Sequence, residues 1–286
     1  MPTQLRLAIQ KSGRLSDDSI DLLHACGIQF SHPKGKLRAV SHNFPVEILY
    51  LRDDDIPGYV ADGVADIGIV GQNVVLEKGH AVDEFRKLGF GRCRLAIALP
   101  RGARYDGLQS LAGKHIATSY PNLLAKHLSE AGVEASIHEI SGSVEIAPGI
   151  GLADGICDLV STGSTLLSNG LREVDTILRS EAVLVSNKDL DAEKRALLDQ
   201  IGFRMDAVMR GRGARYILLN APNGSLDLIK SLLPGMRSPT ILPLAEPGWS
   251  SVHSVIREDD FWVVVDQLRE AGAEGMLVVP IEKMVL

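Results

Sequence analysis

The chain has 286 residues, which the usual range of domain sizes divides into about two domains. Hydrophobic residues make up 45% and charged residues 23%, enough apolar material for a sizeable core without disulfides or a structural metal. Lys and Arg number 30 against 36 Asp and Glu, a net charge of −6 that no long basic stretch offsets. This argues against a nucleic-acid binder that works through counterion release, while anionic small molecules stay admissible if the positive groups are local.

The opening MPTQLRLAIQKSGR lacks the apolar core of a signal peptide. No run of about 18 apolar residues occurs, so no membrane span is expected. The cysteines, Cys26, Cys93 and Cys157, are far apart and form no C-x-x-C, as expected of reduced thiols in a cytoplasmic protein. The eight histidines include no H-E-x-x-H or similar spacing, so no transition-metal site is expected.

In chain order, Leu5 to Ile9 reads as a strand, followed by a helix capped by Ser16, with Ile20, Leu22 and Leu23 inward, ending at Gly27. Val46 to Leu51 is a second strand, followed by a helix that Pro57 interrupts early. Asp66 to Val70 is a short strand, Asn73 to Lys78 a helix, and Cys93 to Leu99 a buried strand. A second α/β part begins near residue 100: a strand at His115–Ser119, a helix with Pro121 in its first turn, and strands at Ala135–Ile140 and Gly155–Ser161. Val174 to Val185 is apolar and extended, fit to carry the chain back to the first lobe. Asp191 to Ile201 is a helix with Leu197, Leu198 and Ile201 on one face.

The last eighty or so residues read strand (Tyr216–Asn220), helix (Leu226–Leu233), strand (Ile241–Leu244), strand (Val252–Ile256), helix (Asp260–Ala271), strand (Met276–Ile281). This is the ferredoxin-like plan. The Arg-rich segment 210–215 is the expected boundary.

The stretch most informative about chemistry runs from Glu145 to Leu166. An apolar strand leads into Thr162-Gly163-Ser164-Thr165, and Leu166 and Leu167 open a helix. Such a loop turns backbone N–H groups and three hydroxyls toward one point, where a phosphate monoester is held by unpaired donors and the helix dipole. Gly163 lets the backbone come close. Asp154 and Asp158, four residues apart, suit vicinal sugar hydroxyls or Mg2+, held directly or through water. The plain alternative is an Asx-type turn before a Thr/Ser-capped helix. With no lysine after the glycine the loop is not a Walker motif, and it is not G-x-G-x-x-G.

The run ADGICDLVSTGSTL resembles the phosphoribosyl-pyrophosphate signature of the ATP phosphoribosyltransferases, which open histidine biosynthesis. The resemblance continues through AIQKSGRLSDDS (8–19), ADIGIVGQN (65–73), TSYPNLL (118–124), SPTILPLA (238–245) and VVPIEKM (278–284), in order, including the carboxy-terminal part that marks the long form. It implies an α/β fold: a two-lobed catalytic part resembling the type II periplasmic-binding-protein fold, plus a carboxy-terminal ferredoxin-like (ACT-like) βαββαβ domain. Residues 1–205 would be catalytic, with lobe I about 1–95 and 180–205 and lobe II about 96–179. Residues 210–286 would be a regulatory histidine-binding domain.

The implied reaction moves the phosphoribosyl group of phosphoribosyl pyrophosphate to N1 of ATP, releasing pyrophosphate, with Mg2+ as cofactor. Adenine N1 already carries a lone pair, so positioning is expected to dominate and no general base is nominated. Carried over by position, Thr162, Gly163, Ser164 and Thr165 would hold the 5-phosphate. Asp154 and Asp158 would meet hydroxyls or metal, with Glu145 a further candidate. Lys11, Gly13, Arg14, Arg52, Asp66 and Tyr120 are candidates for ATP. The resemblance also implies L-histidine as feedback inhibitor and dimers assembling into a hexamer, with Asn220, Thr240, Leu242 and His253 as effector-pocket candidates. The competing readings are a two-lobed small-molecule sensor, which would want a signal sequence or a helix-turn-helix, and a catalytically silent regulatory paralogue.

Overall fold

The structure, a computed structural model, describes residues 3–31 and 35–286. They form two compact units, Met1–Gln200 and Ile201–Leu286. In chain order the first unit contains β1 (Leu5–Gln10), α1 (Arg14–Ala25), β2 (Arg38–Val40), β3 (Val46–Leu51), α2 (Ile56–Ala61), β4 (Ile67–Gly71), α3 (Gln72–Lys78), β5 (Val82–Lys87) and β6 (Cys93–Pro100). It continues with β7 (His115–Thr118), α4 (Pro121–Glu130), β8 (Ser136–Glu139), β9 (Gly155–Val160), α5 (Ser164–Ser168), β10 (Leu171–Ser180), β11 (Ala182–Asn187) and the start of α6 (Ala192–Gly211).

These strands build two sheets. Lobe I has the order β2-β3-β1-β4-β11-β5 and lobe II the order β10-β6-β9-β7-β8. In lobe I, β1 runs parallel to both β3 and β4; in lobe II, β7 runs parallel to both β8 and β9. The central strands are mostly apolar because both faces are covered: Leu5, Leu7, Ala8 and Ile9 of β1 are all fully buried. The chain crosses between lobes twice, and the crossings are hydrogen-bonded side by side, Leu88 N–H to the Ala182 carbonyl and Ala182 N–H to the Phe90 carbonyl, each 2.9 Å.

Several local expectations are corrected. Helix α1 begins at Arg14, with Gly13 at φ 98° as its N-cap, and Ser16 is buried in the first turn instead of capping. That φ is strained for any residue with a Cβ, so Gly13 lets the chain enter the helix three residues early. Pro57 lies in the first turn of α2, where its missing N–H costs nothing, and does not interrupt it. The single extended run expected at 174–185 is two strands, β10 in lobe II and β11 in lobe I, divided at Glu181. The edge strands β2 and β5 carry no apolar alternation and give no sequence signal. Helix α6 runs ten residues past its expected end, so the expected boundary after residue 205 lies inside it.

The second unit contains β12 (Ala214–Pro222), α7 (Leu226–Leu232), β13 (Thr240–Pro243), β14 (Trp249–Arg257), α8 (Glu258–Glu270) and β15 (Glu274–Pro280). Its antiparallel sheet has the order β13-β14-β12-β15, the ferredoxin-like arrangement. Ile217, Leu219, Ala221 and Val252 on one face pack with Ile229 and Leu268 of the helices and with Leu233 just after α7.

Candidate phosphate and nucleotide site

The carboxyl ends of the parallel strands in each lobe are where the chain turns out of the sheet, and in lobe I this happens on both sides of β1. Crevices of open α/β sheets form at such reversals. Two cavities occur here. One, of about 380 Å3, is lined by Arg14, Glu145, Asp158 and residues Leu159 to Leu166. The other, of about 410 Å3, is lined by Gln10, Arg14, Asp18, Asp53, Asn73, Arg92, Leu159 and Ser161 among others. Arg14, Leu159 and Ser161 border both.

The lobe II sheet fixes the first cavity through the alternation of its faces. On one face Leu95, Ile97 and Leu99 pack with Leu124 and Leu128 of α4. The opposite face carries Ala96, Ala98, Ala117, Ile156 and Val160, and against these pack Val144, Ala147 and Leu166. Buried Val144 and Ala147 anchor the short turn Val144–Ile146, leaving Glu145 half-buried at the cavity wall. Leu166 anchors α5 and leaves Thr162, Ser164 and Thr165 exposed. Asp158 shares its strand face with Ile156 and Val160, which aims it toward the same turn.

In the loop, Gly163 sits at φ 83°, the left-handed region, and is the N-cap of α5. The Thr162 and Ser164 hydroxyl oxygens are 3.1 Å apart. Leu167 N–H donates to the Gly163 carbonyl at 3.1 Å, so the amides ahead of it have no intrahelical acceptor. Since α5 has only five residues, the directed amides and hydroxyls carry the attraction for an anion more than a helix dipole does. Asp158 Oδ1 accepts the Leu159 N–H at 2.7 Å. Burial pushes the Asp158 carboxyl above the ordinary aspartate range, the Leu159 N–H opposes this, and the charge of Glu145 adds to the rise. Burial and then neighbouring Asp54 likewise raise Asp53 in the second cavity.

Not every sequence candidate comes to this place. Asp154 precedes β9 and lies about 13 Å along the strand from Asp158. Its Oδ2 accepts the His115 N–H at 2.8 Å, and it borders a different cavity with Lys114 and His115. The acidic pair of the loop is Glu145 and Asp158. Asp66 stands at the amino end of β4, the edge away from the loop; it is 3% exposed and bonded to the Arg6 N–H and to Lys194 Nζ, at 2.7 and 2.8 Å. Its role is to join β1, β4 and α6. Tyr120 borders neither cavity: its ring packs on the lobe II core and its hydroxyl accepts from Asn73 Nδ2 at 3.0 Å. Lys11, Gly13 and Arg14 follow β1 and Arg52 follows β3, all exposed at the carboxyl edge.

Sequence reading missed Gln10, Asp18, Asp53, Asn73, Arg92 and Ser161. Most sit at a strand's carboxyl end or just beyond it, a signal available once the strands are bounded. Arg92 follows Gly91, at φ 62°, whose missing side chain lets Leu15 and Ala182 approach. Among the described residues no group of three or more His, Cys, Asp or Glu side chains is arranged to hold a metal ion. Glu145 and Asp158, two hard oxygen donors on one cavity wall, suit Mg2+, which keeps much of its water and takes further ligands from substrate phosphates.

In the second unit, Asn220, Thr240, Leu242 and His253 share the sheet face opposite the helices, with Thr240 paired to His253, and Leu242 and Asn220 to Ser251. His253 Nδ1 lies 2.9 Å from the Tyr216 hydroxyl and its Nε2 3.0 Å from the Ser251 hydroxyl. No helix among the described residues is long and apolar enough to cross a membrane.

A family model described as ATP phosphoribosyltransferase matches residues 52–207, and one described as HisG, C-terminal domain, matches residues 212–283. An ATP phosphoribosyltransferase of Cytophaga hutchinsonii is 59% identical over 285 residues, covering 100% of both chains. In the solved ATP phosphoribosyl transferase (HisG:HisZ) complex from Thermotoga maritima, one chain is 30% identical with a TM-score of 0.61, covering 71% of this chain and 98% of that one. The substrate binding protein of an amino acid ABC transporter, 12% identical with a TM-score of 0.50 over 73% of this chain and 95% of its own, is alike in fold alone. With strands, loop and both family segments in register along its length, this chain belongs to the ATP phosphoribosyltransferase family.

Proposed function

We propose that the chain transfers the phosphoribosyl group of phosphoribosyl pyrophosphate to N1 of ATP, releasing pyrophosphate, as the first step of histidine biosynthesis. The observation that carries this reading is the open hydroxyl loop at 161–165, facing one cavity with Glu145, Asp158 and Arg14. Thr162, Ser164, Thr165 and the loop amides bind the 5-phosphate. Asp158 and Glu145 accept hydrogen bonds from ribose hydroxyls and would hold Mg2+, which when bound stabilises charge on the departing diphosphate. Arg14 supplies positive charge to both cavities and Arg92 to the second. Lys11, Gly13 and Arg52 extend that edge for the ATP phosphates. Because N1 of adenine attacks with its own lone pair, catalysis rests on alignment and electrostatic stabilisation instead of proton removal.

Incubation with ATP, phosphoribosyl pyrophosphate and Mg2+ tests the reading. The expected result is the ultraviolet absorbance of the N1-substituted product with stoichiometric pyrophosphate. Pyrophosphate release without ATP consumption, or no reaction, overturns it.

The open sheet face of the second unit is the proposed seat of L-histidine as feedback inhibitor, within a hexamer built from dimers. His253→Ala should weaken histidine inhibition while uninhibited turnover stays intact. Unchanged inhibition excludes this face.

A further inference from the structure

Away from the hydroxyl loop, a second set of polar contacts joins the two lobes. Asn73 and Glu77 lie four residues apart on α3 of lobe I, hence on one helix face, and are 4% and 6% exposed. Glu77 Oε1 accepts the Asn122 N–H and Oε2 the Leu123 N–H, both at 2.9 Å, while Asn122 Nδ2 donates to the Glu77 carbonyl at 3.1 Å. Asn122 and Leu123 are in the first turn of α4 in lobe II. The ladder of that helix begins one residue later, with Leu124 N–H on the Tyr120 carbonyl. Pro121 has no N–H, and Tyr120 at the N-cap makes no side-chain cap. Helix α4 therefore takes its cap from the other lobe, as a buried carboxylate on two otherwise unpaired donors.

Asn73 extends the contact in two directions. Its Nδ2 donates to the Tyr120 hydroxyl at 3.0 Å; its Oδ1 accepts from Ser180 Oγ at 2.8 Å, and Ser180 Oγ in turn accepts the Asn73 N–H at 3.0 Å. Ser180 ends β10, immediately before the crossing to lobe I, and Gln72 N–H bonds the Glu181 carbonyl within that crossing. Gly71 makes room for the arrangement: a Cβ there would stand 2.4 Å from Asn73 Oδ1. Asn73 also borders the second cavity, so one side of the latch is cleft wall.

We infer that Glu77 and Asn73 are positioning residues that set the angle between the lobes, and with it the separation of Arg14 in lobe I from the Thr162–Thr165 loop in lobe II. Cap, crossing and cleft wall are one hydrogen-bonded unit, so a change at Glu77 moves the phosphate loop relative to Arg14 without touching either. The kinetic consequence rests on the proposed phosphoribosyl transfer; the geometric one does not.

The test uses the full chain with Glu77→Gln, whose amide can accept from only one of the two N–H groups and points a donor at the other. Tyr120→Phe, which removes only the Asn73–Tyr120 bond, serves as the milder variant in case the first fails to fold. Spin labels at Asp62→Cys and Glu130→Cys, with Cys93→Ser to remove the half-buried thiol, report the inter-lobe distance without substrate. Glu77→Gln should broaden or shift that distance and lower kcat/KM for phosphoribosyl pyrophosphate by about 10–100-fold, Tyr120→Phe moving both readouts less and in the same direction. Kinetics within twofold of the unsubstituted chain overturn the inference, as does a loss of activity with an unchanged distance distribution. If the unsubstituted chain performs no transfer, the transferase reading fails, and the distance measurement alone decides for or against the latch.

Discussion

Replacing Thr162 and Thr165 together by valine removes two hydroxyls at nearly constant shape. Both side chains are exposed, and the Thr162 hydroxyl reaches only Ser164, 3.1 Å away, so the loss to folding is below about 0.5 kcal/mol. A hydrogen bond to a charged phosphate is worth about 1.5–3 kcal/mol. Each lost bond then weakens donor binding about 10- to 150-fold, and the pair, being neighbours, falls short of the product of the two. Initial rates followed by the absorbance of the N1-substituted product, with donor and ATP varied separately, should show the KM for phosphoribosyl pyrophosphate rising at least about tenfold. The KM for ATP should stay within about twofold and the melting temperature within a degree or two. A folded double variant with the original donor KM would refute the assignment of this loop to the 5-phosphate.

Gly163→Ala tests the backbone instead. The new Cβ would lie 3.8 Å from Val160 Cγ1, an ordinary contact, so the cost is the φ of 83° alone, about 1–2 kcal/mol. At about 2–4 °C per kcal/mol, Tm should fall by several degrees and the donor KM should rise; unchanged values would mean the loop is not held in that conformation. Asp66→Ala should destabilise by about 2–4 kcal/mol and Asp154→Ala by about 1 kcal/mol, in chemical denaturation, with both substrate KM values unchanged. A specific catalytic loss at unaltered stability would return either residue to the site. The pH profile follows from Asp158, whose raised pKa puts the acidic limb of kcat/KM above the usual aspartate range, because the ionised form accepts the ribose hydroxyls. Glu145→Gln removes a neighbouring charge and should move that limb to lower pH; a shift to higher pH contradicts the pairing. In folding, the same raised pKa stabilises the native state fully below the unfolded value, and this contribution vanishes as pH rises through the native one.

The legible parts of the sequence were those with a strong local cause. Apolar runs such as Leu5–Ile9 and Val46–Leu51 read directly as strands, and Thr162-Gly163-Ser164-Thr165 after such a run announced its loop. Residues whose meaning depends on which end of a strand they occupy were not legible. Asp154 and Asp158 look equivalent in sequence, yet four residues of extended chain separate one before the start of β9 from the other in its carboxyl half. Asp66 reads as a strand-end acid, and only the pairing of β1 with β4 reveals it beneath Arg6 and Lys194. Nothing local marks Glu77, because the amides it serves begin forty-five residues further along the chain.

Beside Ile156 and Val160, the face of the lobe II sheet under the hydroxyl loop carries the methyl groups of Ala96, Ala98 and Ala117, where β6 and β7 turn Leu95, Ile97, Leu99 and Ile116 to the other face. The thickness of that carpet sets how deeply the pieces bearing Glu145 and Thr165 can settle. Enlarging one of these alanines would raise the rim by roughly the width of a carbon atom and retune the reach of the loop, though none of them meets a substrate. Selection for a different sugar phosphate thus has a lever in the floor as well as in the rim.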